Sequence, residues 1–161
     1  MKLKVEPLTR EAFARYGEVI EAGAGERRII NAGYAVRHHD LARVEVTAEN
    51  GYPLINIFEA TPRPLPIVIA MMERHPLATQ AFYPLDDRDW LLVVAAADEP
   101  LTPSTLRAFR AGGRQGANYG RNVWHHPLLV TAPQRFLVVD RGGPGENLVE
   151  EALPPGIVLD A

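Results

Sequence analysis

The sequence contains no cysteine. That absence removes disulfides, thiol nucleophiles and thiolate-bound metals together, and leaves imidazoles and carboxylate or amide oxygens as candidate ligands. Long hydrophobic runs are missing too, since no apolar stretch approaches the roughly 20 residues a membrane span needs. Nor is there an excess of charge. A net charge of −3 and a pI near 5.9 give no reason to expect a nucleic-acid or anionic-membrane partner. Met1 to Pro7 alternates and carries charge, unlike a signal peptide. These absences lead to the expectation of a soluble, cytoplasmic protein.

What the chain has in quantity is punctuation. Fourteen prolines and thirteen glycines divide 161 residues into short pieces, which argues against a helical bundle and for a β-rich fold with many turns. With 47% hydrophobic and 23% charged residues there is material for one domain, residues 1–161, with a real core. Thr9 can cap a helix of about two turns, Arg10 to Tyr16, stopped by Gly17. Strands are expected at residues 1–6, around Arg28 and Val36, at Leu41–Val46 by alternation, and at Leu54–Glu59. Further strands are expected over the continuous apolar run Ile67–Met72, at Trp90–Ala97, at Ser104–Arg110 and at Phe136–Arg141. Pro62, Pro64 and Pro66 mark an extended segment suited to a sheet edge or a crossing between sheets. The spacing predicts a mainly β protein of jelly-roll or barrel type, with one or two short helices near the N-terminus.

Two stretches hold most of the chemistry. Asn118 to Leu128 carries Tyr119, Arg121, Asn122, Trp124, His125 and His126. Read as one strand, it puts Tyr119, Arg121, Val123 and His125 on one face, and Asn122, Trp124 and His126 on the other. The inward face would then be Tyr119, Arg121 and His125. One core and one surface imidazole explain the pair His125-His126 as well. The second stretch is Glu73-Arg74-His75, with Gln80 five residues beyond His75 at the start of the next strand. Glu73, His75, Gln80 and His125 follow the spacing of a cupin double-stranded barrel, in which a strand carries His-x-His, an acidic residue follows, and a late strand adds one more His. Here Glu73 replaces the first His and Gln80 the acidic residue. A neutral Gln is a weak ligand, so a metal held by this set would bind less tightly than in a metal-bearing cupin. His38-His39-Asp40 reads as surface or dimer contact. The Gly112-Gly113-x-x-Gly116 run lacks the Lys-Ser/Thr and following helix of a phosphate loop.

The chain resembles the ureidoglycolate lyase family. The resemblance runs from Leu8-Thr9-Arg10-Glu11-Ala12-Phe13 through Glu73-Arg74-His75-Pro76-Leu77 and Thr79-Gln80-Ala81-Phe82. It continues in Ser104–Phe109, in Gln115-Gly116 with Asn118-Tyr119, in the highly specific run Arg121-Asn122-Val123-Trp124-His125-His126-Pro127-Leu128, and in Asp140–Gly143. It implies a cupin-like β-barrel, a homodimer, and nickel or another divalent ion as cofactor; a route without metal stays open beside it. The implied reaction splits ureidoglycolate into glyoxylate and urea in allantoin and purine catabolism. It needs a base for the hydroxyl proton and an acid for the departing nitrogen, and a fork of donors for the carboxylate, for which Arg is suited. On this reading His75 and His125 share the base and acid roles. Arg121 anchors the carboxylate, and Tyr119 and Gln80 orient the hydroxyl or ureido group, with Asn122 and His126 further candidates for substrate contact. A bound metal would use Glu73, His75, Gln80 and His125. The rival readings are a metal-dependent cupin isomerase or dioxygenase, a non-catalytic cupin that binds a small acid, and hydrolysis of the same substrate to ammonia and carbon dioxide.

Overall fold

The computed structural model describes residues 1–159. Its architecture is mainly β, as expected, and it is a cupin-like sandwich of jelly-roll type whose sheets stay open instead of closing into one continuous ring. The seven-stranded sheet runs Val149–Ala152, Met71–Arg74, Trp124–His125, Trp90–Ala95, Arg107–Ala111, Val5–Pro7, with Leu129–Val130 also paired to Trp90–Ala95. The five-stranded sheet runs Gly17–Glu21, Gln115–Tyr119, Gln80–Pro84, Gln134–Gly142, Tyr52–Ala60. A three-stranded sheet joins Lys2–Leu3 to Val158–Leu159 and Ile67–Val68, and Glu26–Ile30 forms a separate hairpin with Ala35–His39.

Two cores explain the layering. Between the two large sheets lie Phe82, Tyr119, Phe136 and Val138 from one side and Trp90, Leu92, Val94 and Phe109 from the other. On the far face of the seven-stranded sheet, Leu91, Val93, Ala95 and Trp124 pack against Leu3, Ile67, Ile69 and Leu159. Alternation therefore sends every residue of Trp90–Ala95 into one core or the other. That is why this strand reads as an unbroken apolar run.

Several expected elements take a different form. Thr9 does cap the helix, its Oγ1 accepting from Ala12 N at 3.1 Å, but the α-helix covers only Arg10–Phe13. Gly17 pairs with Tyr119 to begin a strand, and its φ of +146° together with the nearby Asn118 carbonyl leaves no room for a Cβ. Sheet pairing thus ends the helix early. The run Ile67–Met72 is two strands, because the chain leaves the three-stranded sheet after Val68 and joins the seven-stranded sheet at Met71. Ser104 lies in a short 3₁₀ turn capped by Thr102, and the strand starts at Arg107. Leu41–Val46 forms no strand despite its alternation. Its backbone groups bond instead to Glu18 Oε1, through Arg43 N, and to Thr79 Oγ1, through Glu45 N.

Candidate metal and catalytic centre

The principal correction concerns Asn118–Leu128. It is not one strand. Gln115–Tyr119 belongs to the five-stranded sheet and Trp124–His125 to the seven-stranded sheet. Between them the chain turns, with Val123 N donating to Gly120 O and Asn122 in left-handed backbone at φ 62°. Gly120 and Asn122 were the local signal for this turn, since both residue types tolerate that conformation. The shared strand face expected for Tyr119, Arg121 and His125 is therefore absent. Tyr119 and His125 still meet, because the turn sets them on facing sheets. Their rings stack 4.3 Å apart at an interplanar angle of 9°.

The centre forms at this junction. His125 pairs with Glu73 across the ladder, and its Nε2 lies 3.4 Å from Glu73 Oε1. His75 follows the strand Met71–Arg74 by one residue, and its ring centroid is 5.1 Å from that of His125. Gln80 opens the facing strand opposite Tyr119, and its Oε1 lies 3.2 Å from His75 Nε2. One ligand atom each from Glu73, His75 and His125 lies within 4.8 Å of the others. Residues distant in the chain are thus gathered by adjacent strand ends of two sheets.

Tautomers follow from the hydrogen bonds. His125 Nδ1 donates to Val123 O at 3.0 Å and His75 Nδ1 donates to Asn147 O at 2.7 Å. A carbonyl only accepts, so each Nδ1 carries a proton, and the nitrogen left to gain or lose one is Nε2, which lies 3.4 Å from Glu73 Oε1 in His125 and 3.2 Å from Gln80 Oε1 in His75. His125 Nε2 is buried and, despite its approach to Glu73, has no hydrogen bond. Each Nε2 thus faces an oxygen that only accepts, and an unprotonated Nε2 is repelled there unless a proton or a cation sits between the two. This donor set, two imidazoles with one carboxylate, suits a divalent transition ion, and Gln80 Oε1 supplies a weaker fourth oxygen.

Burial lowers the pKa of His75, and the neighbouring His125 lowers it further, which favours the neutral ring. Burial alone would raise Glu73, but the three imidazoles of His125, His75 and His126 outweigh it and hold the carboxyl below its usual range. Burial, with Glu73 nearby, raises the Tyr119 phenol well above its ordinary value and keeps it protonated. His126 is pushed down to about 4, chiefly by burial. Its Nδ1 donates to Pro127 O at 2.7 Å and its backbone N to Val93 O, which ties the histidine pair to the buried central strand.

Arg121 and Asn122 lie on the turn and not among the imidazoles. Arg121 is exposed, with Nη2 and Nε donating to Pro76 O at 2.9 and 3.2 Å. Asn122 N donates to His75 O at 3.0 Å. The turn thereby clamps the His75-Pro76 segment. Arg121 borders a cavity of about 530 Å³ that includes none of Glu73, His75 or His125. Two other cavities reach the centre and share Gln80 as a common wall. One, about 310 Å³, is lined by His75, Asp140, Arg141, Glu146 and Asn147. The other, about 520 Å³, is lined by Glu73, Arg63, Phe58, Phe82 and Leu128. Asn147 and Arg63 did not emerge from the sequence. Asn147 acts through its carbonyl, which every residue has, whereas Pro62-Arg63-Pro64 was visible as an extended segment without its position in the fold.

Fold and centre together define a cupin-like β-sandwich protein with a cation-compatible Glu–His–His set at the junction of its sheets. The chain belongs to the ureidoglycolate lyase family, whose profile it matches over residues 1–160. It is 56% identical over 149 residues to "Ureidoglycolate lyase 1" of Rhizobium meliloti (strain 1021), covering 92% of this chain and 87% of that protein. It is 50% identical over 158 residues to the ureidoglycolate lyase of Burkholderia mallei (strain NCTC 10229), covering 98% and 92%. It is 52% identical over 149 residues to that of Brucella anthropi, covering 92% and 88%.

Proposed function

We propose that this protein cleaves ureidoglycolate to glyoxylate and urea, with the two imidazoles as proton carriers. The observation that carries this reading is the pair of inward Nε2 atoms, each left to gain or lose a proton by a backbone carbonyl that occupies the opposite nitrogen. The substrate carbon bears a hydroxyl, a carboxylate and the ureido nitrogen. One imidazole Nε2 takes the hydroxyl proton as the C–N bond breaks and the aldehyde carbonyl of glyoxylate forms. The other, entering protonated, gives its proton to the departing nitrogen, and urea leaves. The protonated Tyr119 phenol and the Gln80 amide orient the hydroxyl and ureido groups. Arg121 and Asn122 hold the His75 segment in place through Pro76 O and His75 O, and His126 anchors the neighbouring ring to Val93.

Glu73, His75 and His125, with Gln80 as a fourth donor, would hold a divalent ion such as nickel. Such an ion supplies Lewis-acid stabilisation of the negative oxygen that forms as the hydroxyl loses its proton. The same Nε2 atoms serve a proton or a cation. Urea release before and after chelation separates the two uses: full activity in metal-free protein supports the acid–base route, and activity restored only by added Ni²⁺ supports the metal. The decisive experiment is incubation with ureidoglycolate and identification of the nitrogen product. Stoichiometric urea and glyoxylate are expected; ammonia in place of urea, or no consumption of substrate, overturns the reading.

The same reading includes a cytoplasmic homodimer. Support comes from the outer face of the five-stranded sheet, where Ile55 and Ile57 are 74% and 55% exposed opposite Val139 and Leu137. Burying such a row against a second copy is favourable. Sedimentation should give twice the 17.8 kDa chain mass, and a monomer at micromolar concentration would refute the dimer.

A further inference from the structure

Most arginines around the centre are already engaged. Arg74 stacks on Trp124, its Cζ 4.4 Å from the ring centroid. Arg121 is held by Pro76 O. Arg141 Nη2 donates to the carbonyls of Ala48, Glu49 and Pro144. Arg63 differs from all of these. Among the described residues it has no hydrogen bond, ion pair or ring contact, and it lines the 520 Å³ cavity that Glu73 and Gln80 also line. It also borders a neighbouring cavity with Leu65 and Arg110.

A substrate carboxylate entering this centre meets unfavourable charge on most sides. Glu73 stands at the ligand set, and Asp140 and Glu146 line the opposite cavity, where the Arg141 guanidinium is tied to backbone. In the cavity over Glu73 and Gln80, Arg63 is the lone cationic side chain among the lining residues. Its backbone is restrained by Pro62 on one side, and by the extended conformation that Pro64 imposes on the residue before it. The chain position is set while the side chain stays unpartnered. Arg63 is exposed at the open rim of this cavity, where Phe82 and Leu128 offer apolar surface and Glu59 is a second carboxylate beside Glu73. A planar guanidinium matches a carboxylate with two parallel hydrogen bonds.

We propose that Arg63 is the substrate-binding residue that receives the carboxylate, and that the cavity over Glu73 and Gln80 selects small α-hydroxy and α-oxo acids. The identity of the full substrate rests on the lyase reading; the carboxylate site does not.

The test uses the full chain carrying Arg63→Gln or Arg63→Lys, with Arg88→Gln, which lines neither cavity, as control. With ureidoglycolate, Arg63→Gln should raise KM roughly 10–100-fold, the worth of a charged hydrogen-bonded pair, while kcat changes by less than about threefold. Arg63→Lys should fall between Gln and wild type, and the control should match wild type. A KM for Arg63→Gln within about twofold of wild type overturns the proposal. Titration with glycolate and with its neutral amide, glycolamide, provides a readout independent of turnover. Wild type should prefer glycolate, and Arg63→Gln should lose that preference. If wild type releases no urea, the lyase reading falls and the titration alone decides. Preference lost in the variant still upholds the carboxylate site; equal preference in both proteins, or no glycolate binding by wild type, overturns it.

Discussion

Trp90–Ala95 and Tyr52–Ala60 are both strongly apolar strands, and their surroundings are opposite. Every residue of the first is buried, between the two cores. The second is an edge strand paired, among the described residues, only with Gln134–Gly142. Its Phe58 turns inward onto Phe82, with ring centroids 5.8 Å apart, while Ile55 and Ile57 face outward, largely exposed. The buried strand holds the chemistry: Val94 pairs with His125, and Val93 O accepts from His126 N. The edge strand leads into Arg63 and offers its outer face to another molecule. Apolar composition thus marks two different things here, a scaffold that fixes the imidazoles and a surface that remains to be covered.

The comparison breaks most completely at the group the buried strand positions. His125→Ala should lower urea release by roughly 10²–10⁴-fold, the usual worth of general acid–base catalysis. Near-normal turnover in a folded variant would show that the strand positions nothing catalytic. Next comes the strand itself. Leu92→Ala, at a site only 1% exposed, should cost about 2–5 kcal/mol in denaturant unfolding, through lost burial and the cavity left behind. Ile57→Ala on the edge strand should stay within about 0.5 kcal/mol in the monomer. Similar losses at both positions would mean that the two strands are equally covered.

The contrast also explains what the sequence could and could not show. The continuous apolar run Trp90–Ala97 announced a buried central strand, which the structure ends at Ala95, and Thr9, Gly17 and the proline segment marked real boundaries. Glu73, His75, Gln80 and His125 were legible as a set because their spacing follows strand ends that a β-sandwich brings together. The register of Asn118–Leu128 was not legible in the same way. Alternation is a local signal, and the switch between sheets at Gly120–Val123 is decided by which core takes Tyr119 and which takes Trp124. Leu41–Val46 fails for the same reason, since its partners Glu18 and Thr79 are set by tertiary structure. Exposure of Ile55 and Ile57 was equally hidden, because periodicity identifies a face without saying what covers it.

A smaller effect is expected where a second copy is the proposed cover. Ile57→Asp places a charge in the outward row and should shift sedimentation from the dimer to the single chain, while leaving monomer stability within about 0.5 kcal/mol. An unchanged dimer would move the interface to another surface. The exposed hairpin strand Glu26–Ile30 is then the next candidate, since Ile29 is 65% exposed.

The smallest effect tests whether the two strands are as separate as the contrast suggests. Asn56, in the middle of the edge strand, points its Nδ2 at Asp140 Oδ1, 2.9 Å away. Asp140 lines the cavity that contains His75 and Gln80. The edge strand therefore reaches the centre twice, through Phe58 in the cavity over Glu73 and Gln80 and through this hydrogen bond to a carboxylate on the wall of the other cavity. Removing that bond with Asn56→Ala should cost about 1.5 kcal/mol of stability, a little more than a neutral pair because the acceptor is charged. Asp140 would then be free to rotate towards the Gln80 wall, so kcat/KM should fall by less than about tenfold, mostly through KM. Stability lost with kinetics unchanged would make the contact purely structural and confine the chemistry to the buried strand. A change in kcat as large as that of His125→Ala would do the reverse, and place the edge strand in the catalytic machinery.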